Sequence, residues 1–393
     1  METHVLDERR RFVEDIESGH WSMTELCERY GVTRPTGYKW VARHRVDGCA
    51  GLADRRRVPH ACPHRTSGDL EALIVAARRE YGWGAKKLRH VLRQRYPTRS
   101  WPARSTFNEI LERHALLRKQ RRRQPWSHPG VAPLHTDRPN QVWPADFKGQ
   151  FKTGDGRYCY PLTVTDHFSR SLLACHGLRS VKTAEAQPVF RTLFRTVGLP
   201  DAIRTDNGAP FTSTGIHGLS ALNVWWMQLG IVHQRIHPGR PQENGTHERM
   251  HRELKRETTR PAADSQRAQQ RRFDAFQRRY NEERPHEGIG DRTPASLWTP
   301  SPRLFPERIP PPAYPAHMDV RRVTTAGTFK LHGHRLFLSE TLEHQDIGLE
   351  EVADGVWNIV YYRTLLGKLD ERTRRITGAS SPQIGVKDVA GLL

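Results

Sequence analysis

Apolar residues along this chain change period several times, and each change marks an element. Val5, Phe12, Val13 and Ile16 fall on one side of a helix over residues 5–19. Ser22 and Glu25 form a capping box ahead of a second helix, which Gly31 ends. A third helix begins at about Thr33, with Leu26, Val32 and Val41 as its apolar partners. The pattern repeats further on. Leu70, Leu73, Ile74 and Ala77 recur at i, i+3, i+4, i+7; Leu88, Val91 and Leu92 mark the next helix; Phe107, Ile110 and Leu111 mark a third, with Thr106 and Glu109 as its cap. Short apolar runs then predict strands at 141–148, 158–167 and 171–178. A helix over 182–197 turns Val189, Phe190, Leu193 and Phe194 inward. An Ala202–Asp206 strand follows, then a helix ending near Trp225-Trp226-Met227, a strand at Ile231-Val232, and long helices from about 246 and 266. Three strands, helix, strand, helix is an α/β order with helices on the sheet faces. Beyond a proline-rich stretch, 319–370 alternates in short glycine-punctuated runs, which predicts a small all-β barrel.

The two N-terminal sets each read as helix, turn, helix. In the first, Arg34, Thr36 and Lys39 stand near the start of the helix that would meet base edges. A small helical bundle with solvated charges is the plainer alternative. Composition sharpens the choice. The 393 residues carry a net charge of +20, which points to a polyanionic partner, either nucleic acid or an acidic membrane surface. Arginine greatly outnumbers lysine, which suits bidentate phosphate contacts and equally reflects GC-rich coding. Arg121, Arg122 and Arg123 lie in a basic run at 118–124, either solvated or tracking phosphates. No apolar run approaches the ~18–20 residues of a membrane span, and the start of the chain has no signal-peptide core. The five cysteines form no C-x-x-C pair, so a reduced cytoplasmic, nucleoid-associated protein is expected. His60-Ala61-Cys62-Pro63-His64 lacks the second ligand pair that a zinc site needs.

The candidate chemistry lies in carboxylates. Asp146 ends an apolar run in V-W-P-A-D-F-K-G, Asp206 ends a strand in R-T-D-N-G-A-P-F, and Glu248 stands near a helix start in P-Q-E-N-G-T-H-E-R-M-H. Three carboxylates from separate elements suit hard divalent cations, which take oxygen ligands. A pair of such ions about 3.5–4 Å apart serves an in-line phosphoryl displacement. Glu248, Arg252 and Lys255 share a helix face, so the cations either reach phosphates beside the acid or form a surface pair with it. His247 and His251 are expected to contact DNA or solvent rather than metal. Asp166 is expected to cap a turn.

W-P-A-D-F-K, T-D-N-G-x-x-F and P-x-x-N-G-x-x-E-R-x-H, in that order, resemble the integrase core of the DDE transposases. They are most similar to insertion-sequence transposases related to retroviral integrases. Y-N-E-E-R-P-H and T-P-A, at 280–286 and 293–295, resemble the end of that core. Y-G-W-G-A-K-K-L and P-A-R-S-T-F-N-E-I-L resemble the second helix-turn-helix of the same group. The resemblance implies a ribonuclease-H-like fold and Asp146, Asp206 and Glu248 as the catalytic, metal-holding triad. It also implies two Mg²⁺ per site with Mn²⁺ able to substitute, and Lys148, Asn207, Arg249, Arg252 and Lys255 at the DNA. The expected partners are double-stranded DNA, namely the element's terminal inverted repeats and target DNA, and at least one further copy of the chain. The interval from Asp206 to Glu248 exceeds the family's usual one, with the extra residues expected within 212–224. Glu243 matches the usual interval better, but Glu248 fits the local motif.

The expected organisation is a helix-turn-helix domain over 1–48, a linker over 49–66, a second helix-turn-helix over 67–117, a basic linker over 118–131, the core over 132–299, a proline-rich linker over 300–318, a β-barrel over 319–376 and a tail over 377–393. The expected function is transposition: nicking to free a 3′-OH, then joining it to target DNA. The alternatives are a nuclease that cannot join strands and a DNA-binding regulator that no longer cuts.

Overall fold

The computed structural model describes residues 5–54, 65–117, 135–213, 218–237 and 245–378. The chain forms two compact units, Met1–Ser67 and Gly68–Leu393. The first holds α1 (Val5–Glu17), α2 (Met23–Arg29) and α3 (Arg34–Asp47). Phe12, Val13, Leu26 and Val41 make its core. The Ser22 side chain and Glu25 close the expected capping box. A short 3-10 helix, Gly48–Leu52, extends this unit into the expected linker. Leu52 is 1% exposed and its carbonyl accepts from Arg9.

In the second unit, α4 (Gly68–Tyr81), α5 (Ala85–Arg95) and α6 (Arg104–Arg113) pack around Ile74, Leu88, Phe107 and Leu111. Ala103, not Thr106, caps α6, so the expected Thr106/Glu109 cap is not formed. A mixed sheet follows, built from β1 (Val142–Phe147), β2 (Phe151–Lys152), β3 (Tyr158–Thr165), β4 (Leu172–Leu178), β5 (Ala202–Thr205) and β6 (Val232–Arg235). β1, β3 and β4 are antiparallel neighbours, whereas β1 to β5 and β5 to β6 are parallel. β2 pairs with the start of β3.

Strand alternation gives the sheet two apolar faces. Trp143, Ala145, Leu162 and Val164 meet Phe190 and Phe194 of α7 (Thr183–Val197) and Leu222 and Trp226 of α8 (Ala221–Gln228). Cys159, Leu172 and Cys175 meet Met250 and Leu254 of α9 (Gly245–Thr258) and Phe273, Phe276 and Tyr280 of α10 (Gln266–Glu282). Helices thus cover both faces of the sheet.

The C-terminal region is all-β: β7 (Asp319–Arg322), β8 (Thr328–Leu331), β9 (His334–Phe337), β10 (Asp346–Ala353), β11 (Val356–Tyr361), β12 (Thr364–Asp370) and β13 (Arg375–Gly378). Its hydrogen bonding makes a five-stranded antiparallel sheet, β13-β12-β11-β10-β7, and a separate β8-β9 hairpin, rather than the single barrel expected. Both share a core with Leu219, Val224 and Met227 from in and around α8. The proline-rich stretch has no regular structure but is held to the core. Phe305 and Ile309 pack on the α7/α8 cluster, and Arg303 donates to the carbonyls of Pro200, Leu229 and Gly230.

Candidate active site

The parallel register of β1 and β5 brings the two aspartates together. Val142 pairs with Ala202, Trp143 with Ile203 and Pro144 with Arg204. Two residues further along each strand lie Asp146 and Asp206. An even step keeps both side chains on the same face of the pleat, and adjacent strands are ~4.8 Å apart. Both acids therefore stand at the carboxyl ends of parallel strands, the usual ligand side of an open α/β sheet.

The turn after β5 is fixed from several directions. Asp206 Oδ1 accepts the Gly208 N–H at 3.1 Å, and a Cβ on Gly208 would lie 3.1 Å from Oδ2. The Thr205 hydroxyl donates to the Asp206 carbonyl at 2.8 Å, and the Asn207 amide donates to the Ile236 carbonyl at 3.0 Å.

Glu248 arrives on α9. Helical period divides that helix into a buried stripe, His247, Met250, His251, Leu254 and Thr258, and an exposed face that holds Glu248, Arg249, Arg252 and Lys255. The acids sense one another. The Asp146 carboxyl is pushed up to about 7, first by burial, then by repulsion from Asp206, with Glu248 adding to it. The Phe147 N–H and Lys148 pull the other way. Carboxylates that repel one another, one of them largely buried, call for a compensating cation. The donor set is all oxygen, which fits Mg²⁺ or Mn²⁺.

The histidines differ from expectation. His247 and His251 are 2% and 5% exposed, so neither is a solvated or DNA-contacting side chain. The reason is their place on the buried stripe of α9, facing β3. Asp146 and Thr163 are cross-strand partners, and Thr163 Oγ1 lies 2.7 Å from Nε2 of both rings. Thr165 Oγ1 is 3.0 Å from His247 Nδ1. The rings meet edge to face at 4.6 Å. His251 Nδ1 is 3.7 Å from Asp146 Oδ2. Burial lowers the pKa of His247 to about 3; burial, with His247 and Lys148 adding to it, holds His251 well below the ordinary imidazole range, so both rings are neutral. Asp146, His247 and His251 each bring a ligand atom within 4.8 Å of the others.

The remaining predicted residues are spread widely. Lys148, just past β1, is half-buried. In the first unit Arg34 and Lys39 are exposed on α3, while the half-buried Thr36 pairs its hydroxyl with Thr33 at 2.9 Å. Tyr38, 60% exposed one turn from Arg34, is a further candidate that the apolar pattern passed over. Arg121, Arg122, Arg123, Glu243 and the H-A-C-P-H stretch lie outside the described residues. Asp166 caps its turn as expected. It is fully buried and accepts from the Asn140 and Ser169 N–H groups and the Ser169 hydroxyl. Thr163 and Thr165 were not singled out from the sequence. Their signal is alternation on the strand that follows the Asp146 run.

Integrase core domain models match residues 136–241 and 229–294, a helix-turn-helix domain matches 8–60, and a homeodomain-like domain matches 36–111. The insertion element IS476 uncharacterized 39.2 kDa protein of Xanthomonas euvesicatoria is 28% identical over 69% of this chain and 76% of its own length. The insertion element IS407 uncharacterized 31.7 kDa protein of Burkholderia multivorans is 29% identical over 40% of this chain, which spans about half of it, 55%. Among solved structures, the HTLV-2 integrase catalytic core in complex with magnesium is similar over 41% of this chain and 97% of its own, at 17% identity and a TM-score of 0.33. Among the described residues no helix is long and apolar enough to cross a membrane. With helix-turn-helix domains ahead of an integrase core and insertion-element proteins as its relatives, the chain belongs to the insertion-sequence transposases with an integrase-like catalytic core.

Proposed function

We propose that this transposase binds the terminal inverted repeats of its element, nicks the DNA to free a 3′-OH, and joins that hydroxyl to target DNA. The observation that carries the proposal is the register match of Asp146 and Asp206 at the ends of parallel strands, with Glu248 close enough to raise the Asp146 pKa.

Asp146, Asp206 and Glu248 are the residues that would hold two Mg²⁺ ions, with Mn²⁺ as substitute. Bound there, such ions activate the attacking oxygen and neutralise the leaving one. Each step is an in-line displacement at phosphorus. A water or 3′-OH oxygen bonds to phosphorus as the P–O3′ bond breaks, and no covalent enzyme intermediate forms. The chain's own part is placement. Arg252 and Lys255, one and two turns along α9 from Glu248, engage phosphates beside the scissile bond, with Arg249 and Lys148 at its margin. Asn207 shapes the Asp206 turn through Ile236, so its role is to position that turn as well as to approach DNA. Arg34 and Lys39 read the element end from α3, where Thr36 helps set the helix start; Arg121, Arg122 and Arg123 contact backbone phosphates. Two element ends must be held together for joining, so the working form on DNA is at least a dimer.

A strand-transfer assay on a labelled element end tests this. The expected result is nicked and joined product that needs Mg²⁺ or Mn²⁺ and disappears with Asp206→Asn. Nicking without joining would make the protein a nuclease, and binding with neither would make it a regulator; either result contradicts the proposal.

A further inference from the structure

The buried groups behind Asp146 can be satisfied in few ways. A neutral imidazole has one N–H and one bare nitrogen, and a hydroxyl has one proton to give. Thr163 Oγ1 has three polar neighbours: Nε2 of His247 and Nε2 of His251, both at 2.7 Å, and the Asp146 carbonyl oxygen at 3.1 Å. If the hydroxyl proton went to the carbonyl, both Nε2 atoms would have to carry hydrogen. His251 Nδ1 would then turn a bare lone pair towards Asp146 Oδ2, 3.7 Å away. If it goes to His251, every ring nitrogen has a partner of opposite kind. The Thr165 hydroxyl donates to His247 Nδ1, His247 Nε2–H donates to Thr163, Thr163 donates to His251 Nε2, and His251 Nδ1–H faces the carboxylate.

We propose that Thr165, His247, Thr163 and His251 form a one-way hydrogen-bond chain that fixes His251 in the Nδ1–H tautomer, making His251 the positioning residue that holds the Asp146 carboxylate in place beside Asp206 and Glu248. This rests on the reading of Asp146 as a metal-holding residue. The geometry explains why two imidazoles are buried on a helix whose other face carries Glu248. Strand register sets Thr163 opposite Asp146, and the i, i+4 spacing of His247 and His251 places both rings on its hydroxyl. A metal site made of Asp146, His247 and His251 would instead need ring nitrogens that the chain already uses.

The tautomer can be read without activity. In the full-length protein labelled with ¹⁵N-histidine, two-bond ¹H–¹⁵N correlations report which ring nitrogen of His251 is protonated, its signals being assigned by their loss in His251→Asn. Nδ1–H is expected in the parent, and mixed tautomers in Thr163→Val. Nicking of a labelled element end, read across a Mg²⁺ series, should fall ~10–100-fold in His251→Phe, as for other groups that orient metal ligands, with a higher Mg²⁺ requirement. His251→Asn, which keeps a neutral N–H donor, should recover most of that loss. Element-end binding should be unchanged in both, and Thr163→Val supplies the same reading should His251→Phe not fold. A His251 ring found as Nε2–H, His251→Phe nicking at the parent rate, or Zn²⁺ shifting both rings' nitrogens would each overturn the inference. Full nicking by Asp146→Asn would instead overturn the underlying reading of Asp146 and leave the tautomer result standing.

Discussion

His233 shows how one side chain ties the catalytic turn to the rest of the core. Its Nε2 meets Thr205 Oγ1 at 2.8 Å and its Nδ1 meets the Asn223 amide nitrogen at 3.0 Å. Since the amide donates, Nδ1 accepts and the ring is neutral. Burial, with Arg235 adding to it, lowers its pKa to about 3. The folded value lies below the unfolded ~6.5, so the native state is fully supported above that pH and loses stability as pH falls from about 6.5 towards 3. At pH 5 the loss should be on the order of 1 kcal/mol, discounted for the ring's partial exposure. Asp146, pushed up to about 7, has the opposite sign, so the readable quantity is a difference. Denaturant midpoints of His233→Gln should change less between pH 7.5 and pH 5 than those of the parent. Equal pH dependence in the two proteins would refute this. The same scale shows what a sequence hides. The acids stand out because their motifs are local. A DNA contact or solvated face is the expectation for His247 and His251 from sequence, yet their spacing with Met250 and Leu254 places them on the buried stripe.

At the scale of elements, period and punctuation were largely sufficient. The three antiparallel strands, α7, β5, α8, α9 and α10 all occur near their expected limits. What escaped was short or held by side chains. β2 has only two residues, and β12 and β13 complete a sheet whose other members were expected. The α8 cap was also passed over, because its third residue is Asn223 rather than Glu. Ser220 caps Asn223 N at 3.3 Å, its own N–H donates to Asn223 Oδ1 at 2.8 Å, and the Asn223 amide donates to the Phe211 carbonyl at 2.7 Å. That box anchors the segment leaving Asp206. Ser220→Ala should cost ~1–2 kcal/mol, measured by equilibrium unfolding, because a helix cap and a buried partner are lost together. A change within a few tenths would show that the box is not supporting α8.

Across the second unit, the regions expected to be separated by linkers share interiors. Leu219, Val224 and Met227 lie in the same cluster as Phe329, Ile347 and Tyr361. Gln228 donates to the Tyr361 hydroxyl at 2.9 Å, and that hydroxyl donates to Gln345 at 2.7 Å. At the other end, Lys86 pairs with Glu287 at 3.0 Å and Arg284 lies over the Trp83 ring at 5.8 Å. Proline content suggested a spacer at 300–318, since packing by single residues such as Phe305 leaves no periodic trace. The shared interiors predict one cooperative calorimetric transition for the core and the C-terminal β region, with truncation after residue 299 lowering the core's melting temperature. Two resolved transitions, with the core unaffected by truncation, would contradict this. The central claim concerns the chemistry that this scaffold holds in place, and one substitution pair addresses it. Metal-dependent 3′-end nicking of a labelled element end should be abolished by Glu248→Gln, with DNA binding near normal, and largely retained by Glu243→Gln. If Glu248→Gln still cuts and Glu243→Gln is dead, Asp146, Asp206 and Glu248 are not the catalytic set.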